Sequence, residues 1–177
     1  MVSFTNIRNR TLWICMCAVF MGLNILLSSF GITVPGGHLY LNDVVICCAA
    51  LLLDPVGAAI VGGLGAFLGD AFFYPTPMFV SLVTHGLQAL VISLIAHKLL
   101  KEHKAAAGAI AVFVGAVIMV TGYTIGRAYI YATPQTAMTK LPFQILQAAV
   151  GAVAGWTIVF PAQIGRIFRT HVPIYKK

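Results

Sequence analysis

Two groups of polar side chains are spaced so that each shares a helix face inside an otherwise apolar segment. Ser81, His85 and Gln88 follow i, i+4, i+7, and Gln144 and Gln147 are three residues apart, so each group would lie on one side of a helix. Hydroxyl, imidazole and amide groups suit hydrogen bonding of a small polar ligand. The sequence has only four Asp and Glu residues and no paired-carboxylate, H-E-x-x-H or G-x-S-x-G signature, so we expect a binding protein and not an enzyme.

A third group places an arginine between two tyrosines. Tyr123, Arg127 and Tyr131 follow i, i+4, i+8, which predicts a guanidinium held between two phenol rings on one helix face. Arg127 could pair with a carboxylate ligand, and it could equally pair with Asp43 or Asp70. The sequence leaves both arrangements open.

The composition places these groups in a membrane protein. Of the 177 residues, 60% are hydrophobic and 8% are charged, with a mean hydropathy of +0.95, whereas soluble domains carry about 25% charged residues. Backbone groups in lipid must bond internally, so long apolar runs predict helices. We predict an all-α polytopic protein in which residues 1–177 form one domain with six transmembrane helices. The apolar runs are residues 12–30, 39–53, 56–73, 78–96, 106–131 and 141–160.

The basic residues predict the orientation, because Lys and Arg near the ends of spans are retained on the cytoplasmic side. Nine of the eleven fall on one face of a six-span protein, which predicts that both termini are cytoplasmic. The predicted inner loop between the fourth and fifth spans also carries His97, Glu102 and His103, which are expected to be solvated. The net charge of +7 lies at segment ends and does not indicate a nucleic-acid partner. The nine basic residues are Arg8, Arg10, Lys98, Lys101, Lys104, Arg166, Arg169, Lys176 and Lys177.

With alternating helix directions, the polar side chains inside the spans fall in the outer half of the membrane. The inner half is nearly bare, with Asp54 at its boundary. Polar groups that only joined helices would be expected at all depths, so this distribution predicts an outward-facing binding cavity. A structural alternative is that Asp43, Asp70, His85 and Arg127 neutralise one another. The candidate binding residues are Asn42, Asp43, Asp70, Tyr74, Thr84, His85, Gln88, Tyr123, Arg127, Gln144 and Gln147.

Glycine-rich and cysteine-containing segments are interpreted as packing features. Residues 62–69 contain four glycines, but the third glycine of a G-x-G-x-x-G loop would fall on Leu68, so a phosphate loop is not expected. Small residues there, and around Gly151 and Gly155, instead predict close helix approach. Four cysteines lie within spans without nearby His, Asp or Glu in the sequence, so we expect no metal site.

Three stretches carry a family resemblance. They are LYLNDVV at residues 39–45, AALLLDPVGAAIVGGLGAFLGD at residues 49–70, and residues 77–86. Together they resemble the S components of energy-coupling factor (ECF) transporters, the vitamin-capturing membrane subunits of ABC-type importers. The similarity is greatest to the branch for hydroxymethylpyrimidine or pyridoxine, with the pantothenate branch less similar.

The resemblance implies a six-helix subunit of the bacterial cell membrane that joins a transmembrane scaffold protein and two cytoplasmic ATPases. It implies that ATP is used by those partners and that this chain needs no cofactor. The family binds its vitamin near the outer face under lids, here residues 31–38 and 73–77. It docks on the scaffold through a small-x-x-x-small motif, whose nearest equivalent is Ala18 and Gly22. A self-sufficient small-solute transporter is the alternative function.

Overall fold

The computed structural model describes Ile7, residues 9–98, residues 103–172 and Ile174, and these residues fold mainly as helices. Among these residues, five helices are long and apolar enough to cross a membrane, and Asn42–Leu52 is a shorter apolar helix. The prediction of an all-α polytopic membrane protein is therefore confirmed. The helices are α1 (Arg10–Ser28), α2 (Asn42–Leu52), α3 (Pro55–Phe73), α4 (Met78–Lys98), α5 (Lys104–Tyr131), α6 (Pro134–Val159) and α7 (Ile164–His171).

The outer surface of the helix bundle is apolar. Large side chains such as Phe79, Phe113 and Val153 are more than half exposed. A soluble protein rarely exposes so much contiguous apolar surface, whereas lipid solvates it without cost. These helix faces are therefore suited to contact the bilayer.

Helix α2 is shorter than the predicted span 39–53 because its flanks adopt other structures. Residues 37–39 form a strand, and Asp54 takes an extended conformation ahead of Pro55, as the residue before a proline usually does. The 11 residues of α2 rise only about 16 Å, so this helix does not cross about 30 Å of hydrocarbon alone. Most of its side chains are buried, and it lies inside the bundle.

A β-hairpin between α1 and α2 was not predicted. Its strands are β1 (Ile32–Val34) and β2 (Gly37–Leu39), which pair antiparallel with Thr33 opposite His38. Pro35 and Gly36 form the turn, and Gly36 has φ 82°, which glycine adopts without steric cost. We call residues 32–39 the hairpin.

Glycines bring α3 against α4, as predicted from residues 62–69. A side-chain carbon at Gly62 would lie 2.6 Å from the carbonyl oxygen of His85, so only glycine permits this approach. The turn Ile60–Leu64 is π-helical, and Asn24 of α1 donates from Nδ2 to the carbonyl oxygen of Val61 at 2.8 Å. Helix α6 approaches α2 in the same way at Gly155, where an added carbon would lie 2.6 Å from Cys47 Cβ.

The two ends of the described chain meet on one face, which we call the inner face. The backbone N–H of Asn9 donates to the carbonyl oxygen of Ile174 at 3.2 Å. Helix α7 was not predicted, and its Phe168 packs on Phe20 of α1 with ring centroids 6.4 Å apart. The inner-face residues Arg10, Lys98, His103, Lys104, Arg166 and Arg169 are exposed. Residues Arg8, Lys101, Glu102, Lys176 and Lys177 lie outside the described residues.

The interior of the bundle near the inner face contains more polar contacts than predicted. Trp13 donates from Nε1 to Asp54 Oδ1 at 2.5 Å. Ser93 Oγ donates to the carbonyl oxygen of Leu53 at 2.8 Å, and His97 Nε2 lies 3.0 Å from the same oxygen. The prediction that His97 is solvated was wrong, because this helix-end carbonyl needs partners and draws the imidazole into the bundle.

Candidate ligand-binding site

The opposite ends of the helices enclose a cavity that we call the outer cavity. It is formed beneath the hairpin by the outer ends of α2 to α6, and its volume is about 30 Å³. Ligand pockets usually measure about 300–1,000 Å³, so this cavity is smaller than a typical ligand pocket. The lining residues are His38, Tyr40, Asn42, Asp70, Tyr74, Pro77, His85, Tyr123, Arg127, Lys140, Gln144 and Gln147.

Eight of the eleven predicted binding residues line the outer cavity. They are Asn42, Asp70, Tyr74, His85, Tyr123, Arg127, Gln144 and Gln147. The structure places Asp43 and Gln88 directly behind this lining, where they bond to residues that belong to it. Thr84 lies instead between α4 and α5, against Gly122.

Asp43 organises the amides behind the cavity. Its side chain is 1% exposed and accepts from Gln147 Nε2 at 2.7 Å and from Gln88 Nε2 at 3.2 Å. Since a carboxylate only accepts, each glutamine must turn its oxygen away. The oxygen of Gln147 accepts from the backbone N–H of Tyr40 at 3.2 Å, which ties the end of the hairpin to α6.

The oxygen of Gln88 fixes the tautomer of the site histidine. Gln88 Oε1 lies 2.6 Å from His85 Nδ1, and Asp43 Oδ1 lies 3.8 Å from the same nitrogen. Both neighbours are acceptors, so Nδ1 carries the proton and donates. In a neutral His85, the remaining nitrogen Nε2 is then an acceptor.

A second carboxylate begins a chain of hydroxyl groups. Ser81 Oγ donates to Asp70 Oδ2, which uses the only proton of the serine. Tyr123, whose hydroxyl oxygen lies 2.5 Å from Ser81 Oγ, must therefore donate to that serine. Its ring packs against His85 with centroids 5.2 Å apart. The carboxylate thus orients a tyrosine and a serine contributed by two other helices.

Arg127 has a different environment from the predicted one. The end of α5, Arg127–Tyr131, is π-helical, and Ala132 N–H donates to the carbonyl oxygen of Arg127 at 3.1 Å, so the i, i+4, i+8 spacing does not persist. The guanidinium lies 5.2 Å from the ring centroid of Tyr131, while the Tyr123 ring packs on His85. The two-ring arrangement was therefore wrong. Arg127 Nη1 instead donates to the carbonyl oxygen of Gly36 at 2.6 Å.

The sequence analysis missed four lining residues: His38, Tyr40, Pro77 and Lys140. Lys140 is 2% exposed, and its Nζ donates to the carbonyl oxygen of His38 at 2.6 Å. A usable signal existed, because Lys140 and Arg127 are the two basic residues that remain after nine are assigned to the inner face. His38 also packs on Tyr74 with ring centroids 5.4 Å apart, so it joins the two predicted lid segments.

Three polar atoms of the cavity lining are buried without a hydrogen-bond partner among the described residues. They are Arg127 Nε, Asn42 Oδ1 and His38 Nδ1. Buried polar atoms are nearly always bonded, and exceptions often mark a place where a ligand or water completes the set. The amide of Gln144 has a weak hydrogen-bond partner, because its Nε2 lies 3.4 Å from Met119 Sδ. The lining therefore offers both donors and acceptors to a small polar molecule.

Comparison with known proteins supports the resemblance at the level of the family. Residues 8–163 match the family described as ECF-type riboflavin transporter, S component, and no curated protein matches the chain. The match names neither hydroxymethylpyrimidine nor pyridoxine. The family consists of transporter components, not enzymes, and it implies a vitamin substrate and partners from a membrane ECF module. Since the match covers most of the 177 residues, this multi-pass membrane protein belongs to the ECF-type riboflavin transporter S component family.

Proposed function

We propose that this chain captures a hydroxymethylpyrimidine- or pyridoxine-like heterocycle in the outer cavity, for ATP-driven uptake by partner subunits. The observation that carries the proposal is the set of buried, unpartnered atoms in the cavity lining, Arg127 Nε, Asn42 Oδ1 and His38 Nδ1. A small heterocycle with ring nitrogens and hydroxyl or amino groups has matching donors and acceptors.

The lining also suits a planar ring. Tyr40, Tyr74, His38 and Tyr123 contribute aromatic side chains to one small cavity, and such faces stack on flat heterocycles. His85 Nε2 would accept from a ring N–H or an amino group. Asn42 Oδ1, on another wall of the cavity, would also accept a hydrogen bond from the ligand. In this arrangement the hydrogen bonds orient the ligand, and stacking on the aromatic rings supplies the affinity.

The hairpin is proposed as the lid. Two bonds hold it over the cavity, from Arg127 to Gly36 and from Lys140 to His38, and a third joins Tyr40 to Gln147. All three involve backbone groups next to or within this short segment, and the His38 ring adds a side-chain contact with Tyr74. Displacement of the hairpin would open the cavity without disturbing the helices.

The proposed partners are a transmembrane scaffold subunit and two cytoplasmic ATPases. ATP would be used by those subunits, with no cofactor in this chain. Ala18 and Gly22 are exposed on α1, and no atom of the described residues lies within 4 Å of a carbon built on Gly22. This leaves room for a scaffold helix to approach the backbone closely.

The test is ligand binding by the purified full chain. Native mass spectrometry would show any vitamin that remains bound, followed by titration with hydroxymethylpyrimidine, pyridoxine, riboflavin and pantothenate. We expect Asn42→Ala to weaken binding about fivefold to tenfold through one lost hydrogen bond. Asn24→Ala is the matched control, because Asn24 is buried but lies outside the cavity lining. It should lower stability and leave affinity unchanged.

Two outcomes would replace the proposal. Pantothenate binding without any heterocycle binding would assign the chain to the pantothenate alternative. Uptake into liposomes by the chain alone, without ATPases, would indicate a self-sufficient transporter. Equal affinity of wild type and Asn42→Ala for the bound vitamin would contradict the assigned cavity.

A further inference from the structure

We infer that the ligand carries an anionic oxygen group, a carboxylate or a phosphate, which Arg127 and Lys140 bind together. The inference rests on the proposed function, since it concerns the ligand of the same cavity. Among the proposed heterocycles, it favours those that carry an anionic substituent, such as a phosphate ester, over the neutral parent compounds.

The first observation is that two buried cations lie on either side of one turn. Arg127 is 7% exposed and Lys140 is 2% exposed. A side-chain carbon on Gly36 would lie 3.0 Å from Lys140 Cβ, and one on Gly37 would lie 3.3 Å from Arg127 Nη1. Like charges brought together in a buried region repel unless an anion joins them.

The second observation is that both cations lack an anionic partner within the described parts of the chain. Each donates to a neutral backbone carbonyl of the hairpin. Nδ1 of His85 lies 3.8 Å from Asp43 Oδ1, and this contact is an ion pair only when the imidazole is protonated. A charge buried this deeply is normally compensated by an opposite charge.

The nearby carboxylates are engaged by neutral groups. Asp43 accepts from two glutamine amides, and Asp70 accepts from Ser81. Neither forms an ion pair with Arg127 or Lys140 among the described residues. The cavity therefore separates its charges, with cations beside the hairpin and carboxylates among the helices.

The third observation is that Arg127 Nε is buried and has no hydrogen-bond partner in the part of the chain that the structure describes. A guanidinium presents several N–H donors in one plane, and this geometry matches the two oxygens of a carboxylate or the oxygens of a phosphate. Nη1 is engaged by Gly36, which leaves Nε as a buried donor for an oxygen ligand. Lys140 supplies a second positive charge from α6, beside the same turn.

A purely structural role of Arg127 and Lys140 in holding the lid predicts a different pattern of ligand affinities from anion recognition. If Arg127 and Lys140 served only to hold the hairpin, their loss would weaken the binding of neutral and anionic ligands equally. Anion recognition predicts a selective loss for the anionic ligand. The comparison within a pair of ligands that differ in one group therefore separates the two roles.

The experiment measures Kd of the purified full chain for four matched pairs. These are pyridoxine 5′-phosphate and pyridoxine, flavin mononucleotide and riboflavin, nicotinate and nicotinamide, and pantothenate and panthenol. In the pair that binds, we expect the anionic member to bind about tenfold to a hundredfold more tightly, as charge-assisted hydrogen bonds do. Lys140→Gln and Arg127→Gln should bring this ratio close to one, and Lys140→Arg should restore it.

Lys104→Gln is the matched control, because Lys104 is exposed at the opposite end of the bundle, and the ratio should not change. A wild-type ratio near one, or a ratio preserved in both glutamine variants, would overturn the inference while ligand binding itself supported the proposed function. Failure of wild type to bind pyridoxine, pyridoxine 5′-phosphate and hydroxymethylpyrimidine would instead overturn the proposed function, whatever the other pairs show. Phosphate and carboxylate pairs distinguish the two anionic groups.

Discussion

Replacement of Asp43 by asparagine tests whether one carboxylate orients the ligand-binding groups. The change keeps size and shape, but it replaces one acceptor oxygen by an NH₂ donor. Gln147 and Gln88 both donate to this side chain, at 2.7 Å and 3.2 Å. In Asp43→Asn one of these amides must face a donor. The glutamine can turn over only by losing its bond to Tyr40 N–H or to His85 Nδ1.

The size of the effect follows from one lost acceptor. A buried donor without a partner costs about 1–3 kcal/mol. If Gln88 turns over, His85 must also change tautomer, and its Nε2 becomes a donor where an acceptor is proposed. Loss of the same free energy from ligand binding corresponds to about a 5- to 150-fold rise in Kd. We therefore expect lower thermal stability and weaker binding together.

The assay combines thermal unfolding in detergent, ligand titration and ¹⁵N NMR of labelled histidine, whose nitrogen shifts report the tautomer. Asp54→Asn is the control, since Asp54 is buried on the inner face and accepts from Trp13. It should alter stability but neither Kd nor the spectrum of His85. Wild-type stability, affinity and histidine shifts in Asp43→Asn would refute the reasoning.

Four further substitutions test packing, docking and the lid. Gly62→Ala should destabilise the fold by about 1–3 kcal/mol, because the new methyl group would meet the His85 carbonyl; a melting temperature no lower than that of Gly22→Ala would contradict this. Ala18→Phe and Gly22→Phe should leave melting and vitamin binding unchanged but abolish co-purification with the scaffold subunit, and retained co-purification would place docking elsewhere. Gly36→Ala should cost about 1–2 kcal/mol at φ 82°, so amide hydrogen exchange at residues 32–39 should accelerate, and unchanged protection would argue against strain in this turn.

The level of the outer polar groups along the helices could be predicted from the sequence because a bilayer imposes a strong constraint along one direction. Hydrocarbon excludes charges over about 30 Å, so apolar runs and their polar interruptions define which residues share a level. This is why Asp70, His85 and Gln144 were expected at the outer end and line the cavity there. Glycines predicted close helix approach for an equally general reason, since their lack of a side chain allows two backbones to meet.

The partners of those groups could not be predicted, because hydropathy does not determine how helices are rotated. The π-helical turn at Arg127–Tyr131 changes where Tyr131 lies relative to the guanidinium. The hairpin has only three residues per strand, too few for a clear alternating pattern. Lys140 reaches the cavity through packing of α6 against the hairpin, a contact between residues 102 positions apart.

The attachment of the hairpin through its main chain has an evolutionary consequence. Arg127 and Lys140 bond to carbonyl oxygens that every amino acid provides, so closure makes no demand on the side chain of His38. Mutations there can change which molecules fit beneath the lid and still keep its fastening intact. With the hairpin as the proposed lid, substrate preference would therefore diverge among relatives by exchange of its side chains, while its main-chain attachment is inherited unchanged.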